Sequence, residues 1–209
     1  MTLTNTFWVQ MAAFNEATLP LQIILIIIAL ILIYMVFKKH SKVINNLMKV
    51  FLAFVFAWNG IVYFLFFAQN QIATFVGAPL FIIVAILFIL DIKQNRTHFK
   101  LPELKWLRFF TILWIALAFL YPLLGLILGR FYPEICLPMA PCPLTVLAIA
   151  LVSAAIPDVD KKVYIFLLPW ALISLPKCFG VYSCFEDCIL FFAGLYGLII
   201  LIKNWKNIT

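Results

Sequence analysis

The sequence predicts an all-α integral membrane protein with about seven transmembrane helices, its N-terminus outside and its C-terminus in the cytoplasm. Of the 209 residues, 67% are hydrophobic and only 11% are charged, which is too little charge to cover the surface of a water-soluble domain. Apolar runs close to the length of about twenty residues that crosses a bilayer recur along the chain. Basic residues gather in alternate connections between these runs, as they do in multi-pass membrane proteins.

Each apolar run predicts one span of a single polytopic membrane domain over residues 1–209, with residues 1–18 as an external N-terminal segment. The fifth and sixth spans are irregular, because their apolar cores are short and prolines flank or interrupt them. The charged linker at 157–162 is costly at membrane depth, which favours two full but irregular spans over a re-entrant pair. The spans are expected near 19–37, 50–68, 72–90, 109–128, 144–156, 163–175 and 184–202.

The distribution of basic residues predicts the orientation. Thirteen of the 15 Lys and Arg residues follow the first, third and fifth spans or form the C-terminal tail, and only Arg130 and Lys177 fall on the other side. By the positive-inside rule the thirteen are cytoplasmic, which indicates a multi-pass protein of the cell (inner) membrane. The net charge of +7 reflects this topology, so no nucleic-acid partner is expected.

Several cofactor and enzyme classes lack the residues that they need. His40 and His98 both fall in predicted cytoplasmic connections, which excludes a haem held by two histidines within the membrane. The seventh span has no lysine before Lys203, so a Schiff-base chromophore would have no attachment point. No set of acid, base and nucleophile is visible in the sequence. No cofactor, catalytic residue or dedicated metal ligand is therefore assigned, and an enzyme is the least favoured class.

A polar stripe runs along the second span. Asn59, Tyr63 and Asn70 are spaced by four and seven residues, so they share one helical face. The stripe could line a polar path toward the outside, but hydrogen bonding between helices is the favoured interpretation. Gly125 and Gly129 form a GxxxG pattern, for which close helix packing is the default and dimerisation of the protein the weaker alternative.

Charged and polar residues at the outer end of the fourth and seventh spans predict a pocket. A guanidinium near the bilayer boundary is costly unless it is paired, so we expect Arg130 to contact Glu134 or Asp187. The alternative is that Arg130 extends to lipid headgroups. With the polar stripe, the candidate outer pocket consists of Asn59, Tyr63, Asn70, Arg130, Tyr132, Glu134 and Asp187.

All five cysteines fall at or near the predicted outer ends of spans four to seven. The favoured interpretation is disulfides between outer loops, with one thiol left over, because the outer side is oxidising. A soft-metal site that also uses Met139 is a second interpretation, since thiolates and thioethers suit Cu(I). Small buried apolar side chains are a third. The candidate disulfide or soft-metal residues are Cys136, Cys142, Cys178, Cys184 and Cys188.

Several stretches along most of the chain resemble a bacterial family of uncharacterised multi-pass membrane proteins, the domain of unknown function 6064. The resemblance implies a compact multi-pass fold and no assigned activity. In that family a histidine commonly stands at the position of Arg130, and Cys142 alone of the five cysteines has a counterpart, which argues against a general role for the other four. The matching stretches are "FNEATLPLQ" at 14–22, "WNGIVYFLFFAQNQIATFVGAPLF" at 58–81, "YPLLGLILGRFYP" at 121–133, "PCPLTV" at 141–146 and "ED" at 186–187.

Three functions compete on this basis. The leading hypothesis is a small-solute transporter or an outward-facing solute-binding membrane protein, because broken helix ends and polar residues concentrate on the predicted outer half. The first alternative is a protein that handles a soft metal ion or responds to redox conditions through the outer cysteines. The second is a structural or assembly partner without a ligand. The expected partners are the lipid bilayer, a small solute or soft metal ion, and a second copy through Gly125 and Gly129.

Overall fold

The computed structural model describes residues 3–39, 41–68, 71–179 and 184–208, and within these ranges it contains helices and no strands. Asn70 of the candidate pocket lies outside the described residues, and so does the side chain of Cys178. The helices are α1 (Leu3–Lys38), α2 (Lys42–Trp58), α3 (Ala78–Gln94), α4 (Lys105–Ile127), α5 (Pro141–Ala154), α6 (Lys161–Leu172), α7 (Leu175–Phe179) and α8 (Asp187–Asn204). The all-helical prediction is confirmed.

Two π-helical segments interrupt the regular helices. One, Asn59–Phe67, continues α2 without a break, and the other, Ala73–Gly77, leads directly into α3. In a π-helix each N–H bonds to the carbonyl five residues back, which is rare and often marks a functional position. Both segments lie at the same end of the molecule, between α2 and α3.

Within the part of the chain that the structure describes, five helices are long and apolar enough to cross a bilayer: α1, α2 with its π-helical continuation, α3 with the π-helical turn before it, α4 and α8. They are compatible with a membrane location. Helices α5 and α6 have 14 and 12 residues, about 21 and 18 Å at 1.5 Å per residue, and a hydrocarbon core is about 30 Å thick. Seven complete spans and the orientation of the chain remain predictions.

Helix α5 is the centre of the bundle. Every one of its residues is buried, and it packs against α4, α6 and α8. A helix that is apolar on all sides suits such an interior position, and the surrounding helices shield it from the exterior despite its shortness. Gly197 of α8 permits the close approach, because a Cβ there would lie 3.0 Å from side-chain carbons of Ile149 and Leu168.

Helix α1 is one continuous helix that includes most of the segment expected outside the membrane. Its first turns are packed into the bundle, where Met11, Phe14 and Asn15 are buried. Further along, one broad face exposes large aliphatic side chains, which is unfavourable in water and suits contact with lipid. The exposed aliphatic residues of this face are Ile23, Ile24, Ile27, Ile28, Leu30 and Ile31.

Successive long helices run in alternate directions, so the connections between them collect at two ends. One end contains the end of α1, the start of α2, residues 91–104 and 155–162, and the end of α8. Thirteen of the 15 basic residues belong to this end or to the helix turns next to it, and we call it the basic end.

Candidate functional site

A cavity of about 650 Å³ opens at the end opposite the basic end, which we call the cavity end. Its walls are mostly apolar and come from several elements: Phe7 and Met11 of α1, Phe64 of the first π-helical segment, and Trp170 of α6. Pockets that bind small molecules have volumes of about 300–1,000 Å³ and predominantly apolar walls with a few polar groups. The cavity therefore has the size and composition of a ligand site.

Few polar side chains line this cavity. Among the described residues, the polar lining consists of Tyr63 from the first π-helical segment, Cys142 from the start of α5, Gln71 and Lys177. The Lys177 ammonium lies over the indole ring of Trp170, with 3.8 Å between Nζ and the ring centroid. The cavity thus has one cation on its wall, held against an aromatic face.

A buried carboxylate lies directly behind Cys142. The Cys142 thiol donates to Asp187 Oδ2 at 3.5 Å, and the Tyr121 hydroxyl donates to Asp187 Oδ1 at 2.8 Å. Asp187 is the first residue of α8, and a carboxylate at a helix N-terminus is stabilised by the helix dipole. Ser174 donates to the Asp187 backbone carbonyl at 3.3 Å. This network joins α4, α5 and α8 and touches the cavity through the thiol.

Arg130 has a different carboxylate partner from the two that the sequence suggested. Its Nη1 lies 2.7 Å from Glu186 Oε1, and its guanidinium stacks on Trp8 at 4.0 Å from the ring centroid. Glu134 and Tyr132 are exposed, whereas Glu186 is buried. Arg130 therefore ties α1 and the start of α8 to the end of α4 and does not line the cavity.

The two glycines of the GxxxG pattern have separate roles within this chain. Gly129 has φ +82°, the left-handed conformation that favours glycine and commonly ends a helix. The turn brings the Arg130 N–H to within 2.9 Å of the Gly125 carbonyl. A Cβ at Gly125 would lie 3.3 Å from Glu186 Oε1, so this glycine makes room for the carboxylate. Dimerisation through the pair remains a prediction.

The cysteines at this end carry free thiols, so the structure does not support the expected disulfides for Cys136, Cys142, Cys184 and Cys188. The Cys184 thiol, which precedes α8, donates to Glu186 Oε2 at 3.6 Å. A hydrogen bond with Cys136, burial and the negative charge of Asp187 raise the pKa of the Cys184 thiol well above its usual value. It is therefore a protonated donor at neutral pH.

The soft-metal alternative gains no support from this arrangement. Across the described ranges, no group of three or more His, Cys, Asp or Glu side chains is placed to hold a metal ion. The sulfur of Met139 is buried in the core cluster, together with Cys136. The third interpretation, in which the thiols are small buried groups, agrees best with the burial of Cys136, Cys142 and Cys184.

Buried amides fasten the connection 128–140 to the helices. Asn59 Nδ2 donates to the Met139 carbonyl at 3.0 Å, so this amide joins the first π-helical segment to the connection and not to another helix. Asn15 Nδ2 donates to the carbonyls of Pro133 and Ile135 at 2.8 and 2.7 Å. Asn15 is not among the site residues predicted from the sequence. Gln22, which donates to Asn15 Oδ1 at 3.1 Å, lies seven residues later on the same helical face, and that spacing could have indicated both.

The basic end contains a buried ion pair that the sequence reasoning also missed. Lys49 Nζ lies 3.1 Å from Asp91 Oδ2, and both side chains are fully buried between α2 and α3. Asp91 also accepts hydrogen bonds from the backbone N–H groups of Arg96 at 2.8 Å and Thr97 at 3.1 Å. The sequence predicts Lys49 in a cytoplasmic connection, but Lys49 lies two turns inside α2.

Further charge pairs close the same end. Lys100 pairs with Asp158 at 2.8 Å and Arg96 with Asp160 at 3.4 Å. Asp160 caps α6 by accepting a hydrogen bond from the Lys162 N–H at 2.8 Å. A smaller recess of about 300 Å³ at this end is lined mainly by polar and charged side chains. The charges of the basic end thus hold α3, the connection 91–104 and α6 together.

The fold and the site together define the class of protein. It is an all-helical chain whose apolar helices are compatible with a membrane. A mostly apolar cavity lies next to a network of buried carboxylates and thiols. The chain belongs to the family of unknown function DUF6064, whose model matches residues 4–208. Neither the curated proteins nor the solved structures contain a match to it. The family membership confirms the resemblance drawn from the sequence and assigns no activity.

Proposed function

We propose that this protein is a multi-pass protein of the cell (inner) membrane that binds a small molecule in the cavity, as an outward-facing solute-binding protein or a small-solute transporter. The observation that carries the proposal is the cavity of about 650 Å³ with its mostly apolar walls and few polar groups. By the positive-inside rule the basic end is cytoplasmic, so the cavity opens outward.

The helices around the cavity are irregular in the manner of transporter binding sites. Membrane transporters commonly place substrates where helices are interrupted, because the freed backbone groups and helix ends can contact the ligand. Here both π-helical segments contribute to the wall, and α5 begins at the cavity with Pro141. These features favour a ligand site over a bundle that serves only as an assembly partner.

Photo-crosslinking with an uncharged alkyl diazirine tests the proposal. Lipid-facing positions should be labelled in proportion to probe concentration, whereas peptides that line the cavity should show labelling that saturates and is competed by unlabelled alkyl compound. Ile173→Trp should abolish the saturable labelling, because Ile173 lines the cavity and the larger side chain fills part of it.

The matched control is Ile165→Trp, on α6, the helix that ends just before Ile173. Ile165 is as exposed as Ile173, at 41% and 40% respectively, and lies away from the cavity. Saturable labelling should survive this substitution. Labelling that never saturates at the cavity, in a folded wild-type protein, would contradict ligand binding and leave the structural or assembly role as the better explanation.

A further inference from the structure

Two cations, Arg130 and Lys177, lie at the cavity end. Arg130 has a carboxylate partner, and Lys177 has none among the described residues. The four ion pairs between described residues use Lys49, Arg96, Lys100 and Arg130 as cations. All eight Asp and Glu residues lie within the described ranges, and none of them pairs with Lys177. No carboxylate of the described residues therefore neutralises this half-buried ammonium on an apolar wall.

Trp170 holds the Lys177 ammonium on the same wall. Its side chain is 5% exposed and lines the cavity, and its ring centroid lies 3.8 Å from Lys177 Nζ. A lysine ammonium donates hydrogen bonds and cannot accept them. Lys177 is therefore complementary to a ligand oxyanion.

Resting on the proposed function, we propose that the ligand is an amphipathic anion: an alkyl chain with an acidic oxyanion headgroup bound by Lys177. The apolar walls supplied by Phe7, Met11 and Phe64 would hold the chain. A lysine–oxyanion contact is charge-assisted and roughly twice as strong as a neutral hydrogen bond, which suits selection of an acid over an alcohol.

The buried acids determine the orientation of this ligand. Asp187 lies behind Cys142, which lines the cavity, and the repulsion between like charges is strong where water is excluded. An oxyanion is therefore disfavoured beside Cys142 and favoured beside Lys177. The headgroup lies at Lys177 and the chain extends over the aromatic wall toward Tyr63.

Two diazirine probes with the same alkyl chain, one ending in a carboxylate and the other in an alcohol, test the inference in the purified full-length protein. The carboxylate should bind about tenfold more tightly, a difference of about 1.4 kcal/mol. Lys177→Gln should remove this preference, because the carboxylate loses its cationic partner. Lys177→Arg should retain the preference, because the positive charge remains.

The matched control is Lys161→Gln, because Lys161 also stacks on an indole, that of Trp205, at 4.6 Å from the ring centroid but at the basic end. It should change neither affinity. Equal saturable binding of acid and alcohol, unaffected by Lys177→Gln, would overturn the headgroup inference and leave cavity binding intact. Saturable binding of neither probe would overturn both. Phosphate and sulfonate versions of the same chain, tested as further competitors, show which oxyanion is preferred.

Discussion

The two ends of the molecule use the same kinds of residue in opposite ways. At the basic end Lys49 is fully buried, and Asp91 meets it at 3.1 Å between α2 and α3. At the cavity end Lys177 meets an aromatic ring at 3.8 Å and no carboxylate. The buried charges of the first end are satisfied by the protein, which marks them as structural. At the second end Lys177 has no carboxylate partner among the described residues, which supports its proposed role in binding a ligand.

The pair of Arg130 and Glu186 combines features of both ends. Their ion pair is as well formed as those of the basic end, at 2.7 Å, although it lies beside the network of Asp187 and Cys142. Proximity to the cavity is therefore not enough to assign a residue to ligand binding. The property that distinguishes Arg130 from Lys177 is that a carboxylate pairs with Arg130.

The largest expected effect is at the buried pair of the basic end. Lys49→Met should destabilise the folded protein by about 3–5 kcal/mol, because it leaves the Asp91 carboxylate buried without its cation. Replacing both residues, with Lys49→Met and Asp91→Asn, should restore about 2 kcal/mol, since no uncompensated charge remains. Thermal or denaturant unfolding in detergent measures both effects. A single variant as stable as wild type would show that the pair does not hold α2 to α3.

A smaller loss of stability is expected at Arg130. Arg130→Met should cost about 2 kcal/mol, less than the Lys49 substitution, because the Arg130 side chain is 17% exposed and water partly screens the pair. Lys177→Met should cost less than about 0.5 kcal/mol, since it breaks no ion pair. If the same unfolding experiment ranked Lys177→Met above Arg130→Met, Lys177 would have a structural role and the contrast between the two cations would be wrong.

The hydroxyl of Tyr121 should contribute slightly less to stability than the Arg130 side chain. Tyr121→Phe removes the donor to Asp187 Oδ1, and hydrogen bonds to a charged group contribute about 1.5–3 kcal/mol. We expect a loss near the lower value, because the Cys142 thiol still donates to the same carboxylate. Tyr132→Phe is the control and should leave stability unchanged, since Tyr132 is 45% exposed. Equal effects of the two substitutions would show that the Asp187 network is not stabilising.

The thiols should show differences in reactivity without any change in stability. After denaturation in alkylating reagent without reductant, Cys136, Cys142, Cys184 and Cys188 should each carry the label, as free thiols do. In the folded protein Cys184 should react slowly, because it is buried and its raised pKa keeps it protonated. Peptide mass spectrometry reads both results, and an unlabelled pair in the denatured protein would restore the disulfide interpretation.

The helices and the alternate directions of successive helices were predictable from the sequence, because both depend on local properties. Run length, hydropathy and the side on which lysines collect are read directly along the chain. The partner of Arg130 was not predictable in this way. Its position follows from the left-handed turn at Gly129 and from the room that Gly125 leaves for Glu186, and both are tertiary features.

The ion pair of Lys49 and Asp91 was missed for a related reason. The two residues are 42 positions apart, and each stands near the end of an apolar run, where charges are usually solvated. Only the packing of α2 on α3 shows that they are buried. The cavity itself depends on where six separate elements leave space. The sequence offers no signal for this beyond the broken helices around the cavity.

The central claim, that the cavity end binds a ligand, is tested most directly by the alkylation rate of a thiol introduced by Gln71→Cys, because Gln71 is exposed and lines the cavity. The measurement compares this rate for a small uncharged maleimide with and without a medium-chain alkyl carboxylate, in the folded protein. We expect the rate at position 71 to fall with carboxylate concentration until it saturates. Cys188, which is half-buried on α8 away from the cavity, should react at a constant rate. A rate at position 71 that is independent of the carboxylate, or that falls in parallel with Cys188, would contradict the claim.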